Sequence, residues 1–258
     1  MLRLIDGNNV FRRRFETLGS TALTNLFYQA AYIPLGVTQI WVWDAKGAKD
    51  RRRKVYPNYK LGRVKASDEF YQTVRLFQTL LTHSKSMQLT VPTYEADDVI
   101  ATLALGTAQP VVIDSNDFDF ASLSCARIKV EMDSKLPCTP KDTRLYKTLV
   151  GDKSDAIPGF VGFGQKSFEK LTAAEKDLLI RILSGGPPTL ISNFGRFSSW
   201  TESLTNRFID DVANLRIYWK IIELLDVPLD EIPPNIIHPT LNIGKANSIF
   251  KDLFLPTI

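Results

Sequence analysis

The chain has 258 residues, 44% of them hydrophobic and 23% charged, which is enough apolar material for one large domain or two small ones. A balance of 32 basic and 28 acidic residues leaves a formal charge of +4, too small by itself to argue for a polyanionic partner. No apolar run approaches the roughly 18–20 residues that span a bilayer, and two isolated histidines, His83 and His238, argue against a histidine-ligated zinc site.

Residues 2–5 (Leu-Arg-Leu-Ile) read as a short buried strand ending at Asp6-Gly7; the stretch is too short for a signal peptide and runs straight into a carboxylate. Residues 20–33 have helical spacing, with Leu23, Leu26, Phe27 and Ala30 on one face. Residues 39–43 read as a second strand, ending at Asp44, and a basic segment follows from Lys46 to Lys65. Phe70, Val74, Phe77 and Leu81 mark a helix over 68–82, and 88–91 reads as a short strand. Glu95 to Leu105 is helical in pattern, with Ala96, Val99, Ile100 and Leu103 on its buried side. Residues 110–113 form a third clear strand, followed by Asp117 and Asp119, and 127–131 a further one. Cys125 and Cys138 lack CxxC spacing and read as free thiols of a reducing cytoplasm. From about residue 141 helical segments dominate. Strands alternating with helices predict a parallel α/β sheet over residues 1–140, with a helical region over 141–258 packed on it.

Nine acids are of interest, at strand ends, a helix start and a turn: Asp6, Asp44, Glu95, Asp97, Asp98, Asp117, Asp119, Asp152 and Asp155; three strands each deliver carboxylates at the carboxyl end of the sheet, where ligands bind. Asp117 and Asp119 are two apart, so an extended segment points both the same way. Glu95 and Asp98 share one face of a first helical turn, and Asp152 and Asp155 are three apart in a Gly-Asp-Lys-Ser-Asp turn. One acid at a strand end is an ordinary cap or solvated residue. Nine converging would repel, and hard divalent ions, Mg²⁺ or Mn²⁺, are the natural counter-charge. Two such ions can bind a scissile phosphate, activate a water and stabilise the leaving oxygen.

The segment from Lys46 to Lys65 contains Lys46, Lys49, Arg51, Arg52, Arg53, Lys54, Lys60, Arg63 and Lys65 against a single acid, Asp50. Lys and Arg neutralise phosphates, and the interleaved Tyr56 and Tyr59 could stack on an unpaired base. Taking the nine site acids from the 28 leaves 19 against 32 basic residues, so the rest of the chain sits near +13. Arg12, Arg13 and Arg14 follow the first strand, and at least one could reach a phosphate. Gly162-Phe163-Gly164 reads as a tight turn into a helix that buries Phe168 and Leu171. Free N–H groups at that helix start, with Lys166 and Lys170, suit a phosphate. A P-loop fails here because Gln165 breaks the Gly-Lys-Ser order and no strand precedes the loop. A helix-hairpin-helix that grips a DNA backbone fits better.

Together these segments resemble the 5′-nuclease family, which includes flap endonucleases and the 5′-exonuclease domain of bacterial DNA polymerase I. The likeness is strongest to the stand-alone flap endonucleases of tailed bacteriophages. The resembling blocks are Leu4–Asn9, Asp44–Gly47, Tyr56–Arg63, Tyr94–Asp98, Ser115–Asp119, and Gly151–Asp155 running into the glycine hairpin. The resemblance implies a PIN-like (resolvase-like) core over 1–140 with an arch or clamp segment at about 46–85. It also implies a helix-three-turn-helix at about 151–172. All nine carboxylates would surround two or three metal positions, with Asp6, Asp44 and Asp97 catalytic and Asp97 bridging. Lys60 and Arg63 would touch the scissile phosphate, Tyr59 would stack near the 5′ end, and Arg13 matches a family arginine. Further implied DNA contacts are Lys46, Arg51, Arg52, Arg53, Gly162, Gly164, Lys166, Ser167 and Lys170, with a K⁺ ion on the hairpin carbonyls. Asn116 stands where many relatives have glycine, Phe120 where they have a small or aliphatic residue, and the segment after Arg63 is short for an arch.

The activity so implied is hydrolysis of DNA phosphodiesters by two metal ions, as a 5′-3′ exonuclease and 5′-flap endonuclease, leaving a 5′-phosphate and a 3′-hydroxyl. Expected substrates are DNA with 5′ flaps or single-stranded 5′ ends, and RNA primers in hybrids. The expected setting is the bacterial or phage-infected cytoplasm, away from any membrane, as a monomer in replication or repair. The lack of a polymerase domain favours a phage or free-standing bacterial enzyme. Two alternatives compete: a PIN-type ribonuclease, which leaves the hairpin and Asp152/Asp155 unexplained, and a catalytically silent DNA-binding scaffold.

Overall fold

The computed structural model describes residues 1–193, 197 and 200–258, arranged as two compact units. The helical region expected over 141–258 therefore includes five residues, 194–196, 198 and 199, that lie outside the described ones. Strands are β1 (Leu2–Asp6), β2 (Thr38–Val42), β3 (Met87–Leu89), β4 (Val111–Asp114), β5 (Ile128–Glu131) and β6 (Ile236–Ile237). Helices are α1 (Gly7–Leu18), α2 (Ala22–Ala31), α3 (Asp50–Val55), α4 (Asp68–Leu81), α5 (Ala96–Gly106), α6 (Thr143–Val150), α7 (Gln165–Glu169), α8 (Ala173–Leu183), α9 (Leu190–Asn193), α10 (Glu202–Ile222) and α11 (Ile243–Asp252).

The first unit comprises Met1–Ala48, Val64–Ser134 and Leu225–Ile258. Its sheet runs β5-β4-β1-β2-β3-β6, parallel throughout except for β6, which pairs antiparallel with β3. Strand side chains alternate between faces, and the two cores follow that alternation. Ile5, Trp41 and Trp43 pack on one face under α1, α2, α4 and α11, with Phe11, Phe27, Phe77 and Phe250 fully buried. Leu4, Ile40, Val42 and Ile113 pack on the other face against Val99 and Ile100 of α5, joined by Val227 and Ile232 from the returning chain. Buried on both faces, these strands read as near-continuous apolar runs, which is why they were legible.

β1 lies between β2 and β4, with Asp6 level with Val42 and Ile5 level with Asp114. Chain leaving β1, β2 and β4 therefore emerges side by side at the carboxyl edge, where strand order switches direction. Gly7 turns that corner: a Cβ there would sit 2.5 Å from the Trp43 ring.

The parallel α/β sheet expected from the sequence is present, as is the helical region after it. Two features of the first unit were not anticipated. One is α1, whose Asn8, Asn9 and Arg12–Arg14 hide a buried face of Val10 and Phe11. The other is the return of residues 225–258 to this unit, adding β6 and α11.

The second unit comprises Lys49–Arg63 and Lys135–Leu224. Its larger core gathers Leu145, Leu149, Phe160, Phe163, Phe168, Leu179, Ile182, Phe208 and Leu215 from α6, α7, α8, α10 and the glycine hairpin. Thr172 and Glu175 form a reciprocal capping box at the start of α8. Gly151 and Gly159 cross backbone to backbone, and a Cβ on Gly159 would lie 2.6 Å from Gly151 N. Both have positive φ, 96° and 74°, so the Gly-Asp-x-x-Asp-x-Ile-Pro-Gly stretch needs glycine at each end. Among the described residues no helix is long and apolar enough to cross a membrane.

Candidate metal centre and nucleic-acid interface

Seven of the nine expected carboxylates belong to the first unit. Asp6 ends β1 and caps α1: its Oδ1 accepts the Asn9 N–H at 3.2 Å and its Oδ2 accepts the Ser115 hydroxyl at 2.8 Å. Burial, then the charges of Asp97 and Asp44, push its pKa up to about 8. Asp44 follows β2; its Oδ1 accepts the Ala96 N–H at 2.9 Å, an orphan donor of the first turn of α5, and its Oδ2 accepts the Asn8 amide at 2.7 Å. Glu95 is the N-cap of α5, with Asp97 and Asp98 in its first turn, where the helix dipole favours negative charge. Glu95 and Asp98 are each 1% exposed, and Asp98 Oδ1 accepts the Leu225 N–H at 2.8 Å, anchoring the returning chain. Asp117 caps the short 3₁₀ turn Phe118–Leu123, its Oδ1 accepting the Asp119 N–H at 3.0 Å.

One carboxylate oxygen from each of Asp97, Asp117 and Asp119 lies within 4.8 Å of the other two. A fourth acid, Asp6, resists ionising because it is buried and lies near Asp97 and Asp44. This all-oxygen donor set fits a hard divalent cation.

Uncharged polar residues, not expected from the sequence as site residues, orient these acids. Asn8 donates to Asp44, Asn9 accepts the Asn116 N–H at 3.1 Å, and Ser115 bridges Asp6 to the Asp117 N–H at 3.1 Å. Asn8 and Asn9 stood in the first resembling block and Ser115 and Asn116 in the fifth, so the available signal was polar residues that carry no charge.

In the second unit, Asp152 pairs with Lys147 at 2.9 Å and accepts the Ser154 N–H and hydroxyl at 2.8 and 2.7 Å. Burial raises its pKa, but Lys147 and Ser154 outweigh that and hold it below the usual carboxylate range. Asp155 Oδ1 lies 3.9 Å from Lys60 Nζ and 3.5 Å from Arg63 Nη2. Residues 56–63 are stapled to residues 154–156: the Lys60 N–H donates to Asp155 O, the Tyr56 hydroxyl to Ala156 O and Arg63 Nε to Ser154 O, all at 3.0–3.1 Å.

The expected DNA contacts divide. Lys46, Arg51, Gly162, Gly164, Lys166 and Lys170 are exposed, while Arg53 and Ser167 are partly so. Gly162 has φ 79°, and Gly164 caps α7, which is only five residues long. The structure corrects two residues. Arg52 is 5% exposed and donates to Ile221 O at 2.9 Å and Glu223 O at 3.0 Å, so it anchors α3 to the end of α10. Tyr59 is 2% exposed among Ile157, Ile221 and Ile222, with Lys60 Nζ 4.8 Å from its ring centroid, so its ring is core and not a stacking platform. Both are amphipathic enough to serve either place. Arg13 pairs with Asp114 at 3.1 Å and with Asp133, while Arg12 lies over the Phe70 ring at 5.2 Å.

Residues 1–148 match the model of the 5′-3′ exonuclease, N-terminal resolvase-like domain. The chain is 29% identical over 257 residues to a flap endonuclease Xni of Shewanella sp. (strain ANA-3), covering 88% of this chain and 91% of the relative. It is 31% identical over 194 residues to the thermostable DNA polymerase I of Thermus filiformis, covering 66% of this chain but only 23% of that much longer protein. The fold is similar to that of T5 5′-exonuclease solved with divalent zinc ions, with a TM-score of 0.61, 16% identity, and coverage of 86% of this chain and 89% of that one.

Proposed function

The chain belongs to the 5′-3′ exonuclease family, and on that premise we propose that it is a divalent-cation-dependent 5′-nuclease that hydrolyses DNA phosphodiesters at 5′ flaps and single-stranded 5′ ends. The observation that carries this reading is the convergence of Asp97, Asp117 and Asp119 within 4.8 Å, near an Asp6 whose ionisation burial and then Asp97 and Asp44 oppose. Mg²⁺ or Mn²⁺, as two or three ions, is the proposed cofactor set. Bound there, it supplies positive charge to the phosphate and the Lewis acidity that makes water nucleophilic at neutral pH.

The chain's own residues do the rest. Asp6, Asp44 and Asp117 are aimed by backbone N–H groups, by Asn8 and by Ser115, so their lone pairs are oriented before anything binds. Lys60 and Arg63 would stabilise the negative charge that builds on the non-bridging oxygens as water adds to phosphorus and the P–O3′ bond breaks, the 3′-oxygen leaving as a hydroxyl and the phosphate staying on the 5′ side. Exposed Lys46, Arg51, Lys166 and Lys170 would neutralise backbone phosphates. Asp152 and Asp155 belong to the proposed ligand set through their motif, and a K⁺ ion at the hairpin, action on RNA primers, a monomeric state and a cytoplasmic setting are parts of the same proposal. The test is cleavage of an end-labelled 5′-flap duplex with Mg²⁺ or Mn²⁺ and with EDTA. Cation-dependent release of the flap is expected; no cleavage with either cation would defeat the reading, and preference for single-stranded RNA would favour a PIN-type ribonuclease.

A further inference from the structure

Resting on the cation-dependent reading above, we propose that one face of α1 is a jig for the acidic segment after β4, and that Arg13 serves the cation site by holding that segment and not by touching DNA. Asp6, Asn9 and Arg13 are three and four residues apart, a single helix face. Each makes a contact with the segment that begins at Asp114. Arg13 Nη2 meets Asp114 Oδ1 at 3.1 Å, Asp6 Oδ2 accepts the Ser115 hydroxyl at 2.8 Å, and Asn9 Oδ1 accepts the Asn116 N–H at 3.1 Å. The Asp117 N–H donates to Ser115 Oγ at 3.1 Å, so the jig extends to a candidate ligand. It also closes on itself: Arg13 Nη1 binds Asp133, whose N–H donates to Asn116 Oδ1 at 2.8 Å. Three successive residues, Asp114 to Asn116, are thereby fixed to α1 or to its cap, and Asp117 is tied to them through Ser115.

The same geometry disfavours a phosphate contact for Arg13. Both terminal nitrogens of its fork already face carboxylates, and Nε is buried. A phosphate brought to that fork would meet Asp114 and Asp133 as like charges. Of the arginine triplet, Arg12 covers Phe70 and Arg13 is engaged; Arg14 is exposed and has no ion pair among the described residues. Arg14 is thus the member with a charge to offer DNA. Residues that hold metal ligands from behind commonly change metal affinity about 10–100-fold when removed.

The experiment compares Arg13→Gln and Asn9→Ala with the unaltered chain. Mn²⁺ binding to metal-free protein is read by electron paramagnetic resonance, and flap-DNA affinity in EDTA is read across a salt series. Both variants are expected to weaken Mn²⁺ about ten-fold or more while leaving DNA affinity and its salt slope unchanged. Asn9→Ala changes no charge, so it separates positioning from electrostatics. A salt slope reduced by about one in Arg13→Gln, with Mn²⁺ affinity intact, would make Arg13 a phosphate contact and overturn the proposal. Normal Mn²⁺ affinity in Asn9→Ala would also overturn it. If the unaltered chain fails to bind Mn²⁺, the nuclease reading falls and takes the jig with it; if that chain binds Mn²⁺ and cleaves while both variants do the same, only the jig falls.

Discussion

With no cation bound, the chain should lose stability as pH rises from about 5 to 8. Asp6 holds its proton up to about 8 in the native state, because burial and then Asp97 and Asp44 oppose its charge, but releases it near the ordinary 3.8 once unfolded. Between those values the native state binds the extra proton, so stability is highest at the acid end of the window and falls toward its upper end. At about 1.36 kcal/mol per pKa unit, a rise of some four units sets a ceiling of about 6 kcal/mol, comparable to the whole stability of many domains. Other shifted groups act elsewhere or in the opposite sense. Asp142 and Asp152 have depressed pKa values, so they stabilise above the ordinary carboxylate range and lose that contribution only at lower pH. His83 is lowered by burial and then by Lys245, so its contribution grows with rising pH.

The measurement is guanidinium chloride unfolding in EDTA at several pH values from 5 to 8.5, repeated for Asp6→Asn and with excess Mg²⁺. Asp6→Asn should flatten the decline and be more stable than the unaltered chain at pH 8 without metal. Mg²⁺ should restore stability most at the alkaline end, by about 2.7 kcal/mol at a hundred times its Kd. Metal-free stability that stays level or rises across the window, or an equal decline in Asp6→Asn, would refute the charge conflict assigned to Asp6.

Four further outcomes follow from single contacts. Gly7→Ala drives a Cβ to 2.5 Å from the Trp43 ring, and should cost about 1–3 kcal/mol by thermal unfolding. Lys147→Met strips the buried partner from Asp152 and should cost about 3–5 kcal/mol above pH 5, less once Asp152 is protonated at low pH. Arg52→Gln removes the anchor between α3 and α10 and should cost about 1.5–3 kcal/mol, with the salt slope of DNA binding unchanged, whereas Arg51→Gln should lower that slope by about one. Lys60→Ala should reduce turnover on flap DNA more than it reduces duplex affinity, read by single-turnover kinetics and by binding in EDTA; equal losses would remove Lys60 from the chemistry.

What the sequence revealed and what it hid follow from the same physics. Strands β1, β2 and β4 were legible because both faces are buried, which writes a near-continuous apolar run such as Ile40-Trp41-Val42-Trp43 ahead of each acid. The α1 helix was not legible, because Asp6, Asn9 and Arg13 spend its polar face on a neighbouring loop, leaving only a short apolar face to read. Arg52 and Tyr59 were misread for a related reason: a basic run marks charge density, yet one guanidinium in it is consumed by Ile221 O and Glu223 O, and one ring by the Ile157–Ile222 core. Return of residues 225–258 to the sheet unit rests on Leu225 N–H to Asp98, and on Val227 and Phe250, contacts too distant in sequence for any local pattern to announce.

The decisive difference among the acids is the kind of partner each has been given. Asp6 and Asp114 end adjacent strands, one residue apart in register, and look alike in the sequence. Asp114 lies between two guanidinium groups, Arg3 at 3.2 Å and Arg13 at 3.1 Å, so its charge is cancelled locally. Asp6 accepts only neutral donors among the described residues, the Asn9 N–H and the Ser115 hydroxyl, which aim its oxygens but supply no opposite charge, so without a cation it keeps its proton up to about 8. Neutral donors leave a carboxylate cluster attractive to a mobile cation, whereas a fixed arginine would occupy the place of that cation. Arg3 and Arg13 do the complementary task one strand away. By neutralising Asp114, Glu131 and Asp133, they keep the outer acids from adding to the repulsion that Asp6 already carries from Asp97 and Asp44. At the carboxyl edge of the sheet, α1 thus serves both sides: Asn9 holds the segment that bears Asp117, and Arg13 pairs with Asp114 and Asp133.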